Sequence, residues 1–250
     1  MNSNELAGNI HQQWPRMVAR FAGGAVFVVG VLVFLGWVFD VAPLKSAVPG
    51  WNKMAAITSL GFVLAGLALM LVAAKPVCGP VLLAEKDSGL ARRRVALGCA
   101  GIVTLIGLLK LSEYLMGWSL GIDQLGFQES PRIQGNSSPI RMAPATALTF
   151  LLLGSALLLA HSSRFLVVFQ ILTLLGGLVS GLVLSRYLYG GEPLIPYAQM
   201  AFHTALSFLI LSVGILCTRT DGGLMALLIS DRAGGVSIRR LLPPALIIPI

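Results

Sequence analysis

Four ionisable side chains sit inside or at the margins of otherwise apolar stretches of this chain, and they are where chemistry would be sought first. Lys110 and Glu113 are three residues apart, on one face of a helix, while Arg186 and His203 belong to two later apolar runs. A charged group in hydrocarbon is costly and is kept for pairing, proton transfer or ligand contact. A carboxylate there needs a cationic partner or takes up a proton. Lys110 is available to Glu113 on the same helix, but Lys preceding Glu is the weaker order for such a pair. The planar fork of Arg186 suits a carboxylate better. The spacing therefore predicts that Glu113 contacts Arg186 or His203 across helices. The plainer alternative is a structural bridge from Glu113 to Lys110 or Arg186, with Lys110 snorkelling towards the membrane surface.

Asp123, in the loop GIDQLGFQESPRIQGNSS, completes a candidate sensor cluster of Lys110, Glu113, Arg186, His203 and Asp123, although a loop aspartate also serves as a cap or turn residue. His203 could titrate near neutral pH, against the alternative of a packed or interfacial ring. His161 lies about a full span away from it, so the two cannot share a metal ion, and a haem would need other ligands. Cys78, Cys99 and Cys217 have neither metal spacing nor the makings of a disulfide framework. No metal and no cofactor is expected. No phosphate-binding loop, HExxH, nucleophile elbow, kinase or cyclase motif occurs, so no enzyme chemistry is expected of these residues.

The elements that must position these groups follow from composition. The 250 residues are 56% hydrophobic and 11% charged, with a mean hydropathy of +0.85; soluble domains carry about 25% charged residues. A chain this apolar cannot cover itself with polar surface, so lipid is its natural solvent. Roughly 20 apolar residues cross a bilayer core of about 30 Å. Six segments fit: 20–40, 54–75, 94–118, 142–161, 164–189 and 198–217. Each must satisfy its own backbone hydrogen bonds in lipid and is predicted to be helical, since no alternation of period two suggests a barrel. The expected fold is all-α: a polytopic transmembrane bundle of six full spans, with 1–19 as a cytoplasmic segment. Residues 219–240 read as a cytoplasmic surface segment, and 241–250 (LLPPALIIPI) as the start of a truncated seventh span of a longer protein.

The net charge of +8 and pI near 9.9 do not imply nucleic acid, because the basic residues occupy short loops rather than one groove-sized patch. Arg16, Arg20, Lys75, Lys86, Arg92–Arg94, Arg164, Arg219, Arg232, Arg239 and Arg240 fall on one side; Lys45, Lys53, Arg132, Arg141 and Arg186 fall on the other. The excess of Lys and Arg on cytoplasmic loops places the N-terminus and the 76–93 loop inside, and the 119–141 loop outside. Trp37, Trp51, Trp118, Tyr114, Tyr187, Tyr189 and Tyr197 gather at the opposite, outer boundary, where amphipathic rings prefer to sit.

Three of the helices open alike. MAAITSLGF, MAPATALTF and MAFHTALSF share the pattern M-x3-T-[AS]-L-x-F, with a small residue, Gly66, Gly154 or Ser212, twelve places after each Met. Offsets of 0, 4, 8 and 12 drift only about 40° per step on a helix. Met54, Thr58 and Phe62, Met142, Thr146 and Phe150, and Met200, Thr204 and Phe208 thus form three stripes. They are expected to be packing seams in the bundle interior, where small residues let helices approach, the alternative being a ligand-lining surface. The pattern predicts three helix-hairpin repeats, about 20–75, 94–161 and 164–218. An even number of spans separates them, so they point the same way across the membrane.

The segments EYLMGWSLGIDQLGF (113–127), RMAPATALTFLLLGSALLL (141–159), MAFHTALSFLILSVGILCTRTDGGLMALLISDRAGG (200–235) and RRLLPPALIIP (239–249) resemble the multi-span N-terminal membrane region of bacterial sensor proteins, among them PAS-linked histidine kinases and diguanylate cyclases. The resemblance covers the chain from about residue 20 onwards, and the first repeat, with Ser59 and Gly61 inside its motif, departs most. It implies a membrane-embedded sensory input module of the bacterial inner membrane whose cytoplasmic effector lies outside these residues. The partners it implies are the lipid bilayer and, through the full-length protein, a second copy of the chain; it names no ligand. A small-molecule transporter or channel is the rival reading, and a passive anchor or dimerisation scaffold is a third.

Overall fold

The computed structural model describes residues 3–45, 52–74, 84–118, 141–189, 200–219 and 222. Asp123, most of the 119–141 loop, the 219–240 segment beyond Arg219 and Gly222, and the 241–250 run lie outside the described residues. Among those described there are seven α-helices and no strand: α1 (Ser3–Val38), α2 (Ala42–Lys45), α3 (Ala56–Ala73), α4 (Ala84–Met116), α5 (Pro144–Leu159), α6 (Leu166–Tyr189) and α7 (Phe202–Cys217). All six expected apolar runs are helical. Four helices are long and apolar enough to cross a membrane, over Trp14–Val38, Ala56–Ala73, Gly89–Met116 and Leu166–Tyr189, while α5 and α7 are apolar but 16 residues each.

The helix ends differ from the sequence expectation for identifiable reasons. α4 begins at Ala84 rather than 94, because AEKDSGLARRR is rich in strong helix formers that carry the helix past its apolar part. α1 likewise runs from Ser3 through the polar stretch expected to precede the first span, with Pro15 inside it. α5 and α7 are short because the Met-Ala pair ahead of each is extended: Ala143 and Ala201 cap the helices at ψ 147° and 149°, as Ala55 caps α3 at 148°. Each of these helices starts two residues after the motif Met.

α3, α5 and α7 meet at the centre. Phe62, Phe150 and Phe208 are fully buried against one another, with ring centroids 4.6–5.1 Å apart in tilted or edge-on geometry. Such pairs are worth about 0.5–1.5 kcal/mol beyond the area they bury. The other long helices fill the grooves around this core: α1 lies on α3 and α7, α4 on α3 and α5, and α6 on α5 and α7. Large apolar side chains such as Phe21, Ile102, Leu105, Ile171, Leu178 and Leu182 cover the exterior. The Leu of each motif, Leu60, Leu148 and Leu206, is exposed while its Met, Thr and Phe are buried.

Small residues set how closely the helices approach. A Cβ on Gly66 would stand 2.6 Å from the Gly23 carbonyl oxygen and the Phe27 nitrogen of α1; one on Gly154 would stand 2.6 Å from Thr104 Oγ1 of α4. Gly24 has open space where a Cβ would go. Gly66→Ala is therefore expected to force α1 from α3 and lower stability by about 1–3 kcal/mol. Gly24→Ala should be neutral, or stabilising by up to about 1 kcal/mol through helix propensity. Thermal unfolding of the two purified variants in detergent checks this, and equal melting temperatures would contradict it.

Candidate functional site

The polar side chains collect where α1, α4 and α6 end and α3, α5 and α7 begin. The positioning device there is an aromatic lock. Trp37 Nε1 donates to the Met54 carbonyl at 2.9 Å, Tyr114 Oη to the Met142 carbonyl at 2.5 Å, and Tyr187 Oη to the Met200 carbonyl at 2.7 Å. Each bond satisfies a carbonyl in the extended Met-Ala pair, outside the helix that follows, and ties the end of one long helix to the start of the next. These three aromatics were legible in the sequence only as boundary residues. Their role was hidden because the intervening lengths are 17, 28 and 13 residues, so no fixed offset betrays it.

Charged groups flank each lock differently. Beside Trp37, Lys45 Nζ lies 4.4 Å from the ring centroid, a cation–π contact, and Lys45 is also paired with Asp40. Asp40 adopts φ 52°, a left-handed conformation that Asp tolerates, which turns the chain into α2. The hydrogen bond and positive charge of Lys45 hold the Asp40 carboxyl below its usual range.

Where α4 meets α5, Lys110 Nζ bonds Glu113 Oε2 at 2.6 Å, with the lysine side chain buried and the glutamate mostly so. This corrects the expected cross-helix contact: Glu113 is paired with Lys110 on its own helix in place of Arg186 or His203. The reason is the packing. α4 sits in the α3–α5 groove and α6 in the α5–α7 groove, so α5 stands between Glu113 and Arg186. Glu113 and Arg186 each precede a locking tyrosine, and occupy corresponding places in different grooves. Lys110 is also buried rather than snorkelling.

Where α6 meets α7, no such ion pair occurs among the described residues. The Arg186 guanidinium carbon lies 5.6 Å from the Tyr187 ring centroid, and Tyr187 stacks edge-on with Phe202 at 5.6 Å. Arg186 Nη1 and both ring nitrogens of His203 are buried with no hydrogen-bond partner among the described residues. The five candidates are thus divided: Lys110 with Glu113 on α4, Arg186 and His203 at the α6–α7 end, and Asp123 outside the described residues. The seam residues Met54, Thr58, Phe62, Met142, Thr146, Phe150, Met200, Thr204 and Phe208 are all buried.

Among the described residues no three of His, Cys, Asp and Glu gather as a metal site. No family model, curated protein or solved structure matches this chain.

If the locks tie each long helix to the next, Tyr187→Phe should lower stability by about 1–2 kcal/mol, since it keeps the ring but strands the Met200 carbonyl. Melting in detergent reads this out. A melting temperature equal to the parent's would remove the lock from the account.

Proposed function

We propose that this chain is the membrane-embedded input module of a bacterial signalling protein, built as three parallel helix-hairpin repeats making six spans of the inner membrane. The repeat is supported by the common start of α3, α5 and α7 two residues after the motif Met, by the three equivalent aromatic locks, and by the meeting of the three motif phenylalanines. In this reading α5 and α7 span by adding their extended Met-Ala entry to about 24 Å of helix. The N-terminus is cytoplasmic because Arg16, Arg20, Arg92–Arg94, Arg164 and Arg219 share one end, and the aromatic locks face outwards.

The observation that carries the sensory reading lies where α6 meets α7. Two hairpins close their charges as Asp40–Lys45 and Lys110–Glu113, whereas Arg186 and His203 keep buried polar atoms without a hydrogen-bond partner among the described residues at the same end. Leaving such groups unmade costs about 1–3 kcal/mol each, which a purely structural bundle has no reason to retain. A transporter or channel is disfavoured by the centre of the bundle: the Phe62–Phe150–Phe208 cluster, with Leu69, Leu157 and Ile215 buried beyond it, fills the axis.

Orientation is tested by cysteine labelling in intact cells on a background lacking the three native cysteines. A membrane-impermeant maleimide should label Ser138→Cys and spare Ser88→Cys; the reverse pattern would invert the topology. Function is tested on the full-length protein through its effector output. Arg186→Gln and His203→Gln should shift the output set-point at normal expression by about threefold or more, whereas Lys110→Met/Glu113→Leu, which replaces the closed pair by apolar groups, should leave it within about twofold. An output indifferent to Arg186 and His203 would reduce the module to a passive anchor.

A further inference from the structure

The three Met–Thr–Phe stripes hold three hydroxyls that the packing of the bundle does not use. Thr58, Thr146 and Thr204 are the third residues of α3, α5 and α7, and Phe62, Phe150 and Phe208 are the seventh. The phenylalanine rings meet at the centre. α3 and α7 stay in register further along, where a Cβ on Gly214 would stand 2.6 Å from Leu69. On a helix, a residue four places earlier faces nearly the same direction, about 6 Å nearer the start. The threonines therefore form a layer of their own around the bundle axis, one turn from the rings. Thr58, Thr146 and Thr204 are 2%, 3% and 2% exposed, and Met54, Met142 and Met200, one step nearer the locks, are 1% each.

Buried hydroxyls in helices commonly return to the carbonyl three or four residues back. Ser59, Thr149, Thr173, Ser180 and Ser212 all do so, at 2.6–2.8 Å. The side chains of Thr58, Thr146 and Thr204 make no hydrogen bond among the described residues. The locks supply the reason. Four residues before each threonine stands the carbonyl of Met54, Met142 or Met200, which lies outside the helix and already accepts from Trp37, Tyr114 or Tyr187.

The same layer lies at the starts of three helices that point one way. Their N-cap residues, Ala55, Ala143 and Ala201, offer no capping side chain, and no acidic residue occupies any of the three first turns. Each helix start carries the equivalent of about +0.5 elementary charge, so three together present about +1.5. That sign attracts an anion and repels a cation. Its magnitude suits one negative charge better than two, because the layer itself adds only neutral hydroxyls. Enclosure sets the size: residues 2–3% exposed, one turn from three packed rings, admit a compact ion and not an extended solute.

We infer that Thr58, Thr146 and Thr204 bind a small monovalent anion of the halide class on the bundle axis. Each hydroxyl donates one hydrogen bond to it, and the three helix starts supply the compensating charge. The site uses neither Arg186 nor His203, and it stands whether or not those residues sense a signal.

The test is thermal unfolding of the purified full chain in detergent, with sodium chloride exchanged for sodium gluconate at constant ionic strength. A ligand held only by the folded state raises the midpoint, and saturating chloride should raise it by about 5 °C. Thr146→Val removes one donor while keeping the size and branching of the side chain. It should cut the chloride-dependent rise to about half or less. Its midpoint in gluconate should be no lower than the parent's, since the hydroxyl it removes has no partner to lose. Thr58→Val and Thr204→Val, at the equivalent places, are held to the same outcome. Thr146→Ser keeps the donor and should keep the rise, as should Thr149→Val, which removes a hydroxyl already bonded within its own helix. A midpoint indifferent to chloride in the parent would overturn the proposal. So would a rise that survives at full size in all three Thr→Val variants of the layer, which would place the anion elsewhere.

Discussion

Between helices in lipid there is little to gain by expelling water, since the acyl chains are as apolar as the side chains they would replace. What holds such helices together is close van der Waals contact and the satisfaction of polar groups. The whole bundle answers to that constraint. At its centre three phenylalanines pack ring against ring, and α3, α5 and α7 can converge on them only because Ala65, Ala68 and Ala156 nearby are small and fully buried. In the surrounding layer, glycine on one helix meets backbone on the next at Gly23–Gly66, Gly30–Val63, Gly107–Leu151 and Gly154–Thr104. A tighter approach puts more atoms in contact per turn, which lipid cannot match.

The same constraint explains the ends of the helices. Where the chain leaves the helical conformation its carbonyls lose their internal partners, and in an apolar setting that loss is uncompensated by water. Placing an indole or phenol on the Met54, Met142 and Met200 carbonyls removes the deficit and joins each pair of helices at one point. The charged groups nearby then have fixed surroundings. Lys45 and Lys110 are each buried beside a carboxylate, and that neutralises them. Arg186 and His203 stand in the corresponding region with polar atoms unpartnered among the described residues.

Much of the fold was legible before any coordinates. The lengths and apolarity of the runs were enough to make each a helix, and the offsets of the M-x3-T-[AS]-L-x-F motif were enough to put Met, Thr and Phe on one side, because helical geometry is local. Boundaries were less legible: α4 extends ten residues beyond its apolar part because helix propensity, rather than hydropathy, decides where a helix stops in polar sequence. The candidate site was legible as a set of residue types, and of the two readings of Glu113 the plainer bridge to Lys110 is the one that forms. Glu113 was matched to Arg186 on depth and donor geometry, both sound, yet depth along a helix says nothing about which groove that helix occupies.

The sequence by itself determined the helical class, the apolar exterior and the inward stripes, since each follows from contacts within one or two turns of chain. Tertiary structure alone decided that three phenylalanines from distant segments meet at one point, that Trp37, Tyr114 and Tyr187 lock three carbonyls across unequal intervals, and that Glu113 takes Lys110. Those outcomes depend on the order in which six helices surround one another. That order is fixed by the sum of many weak contacts between surfaces, and no single spacing in the chain encodes it.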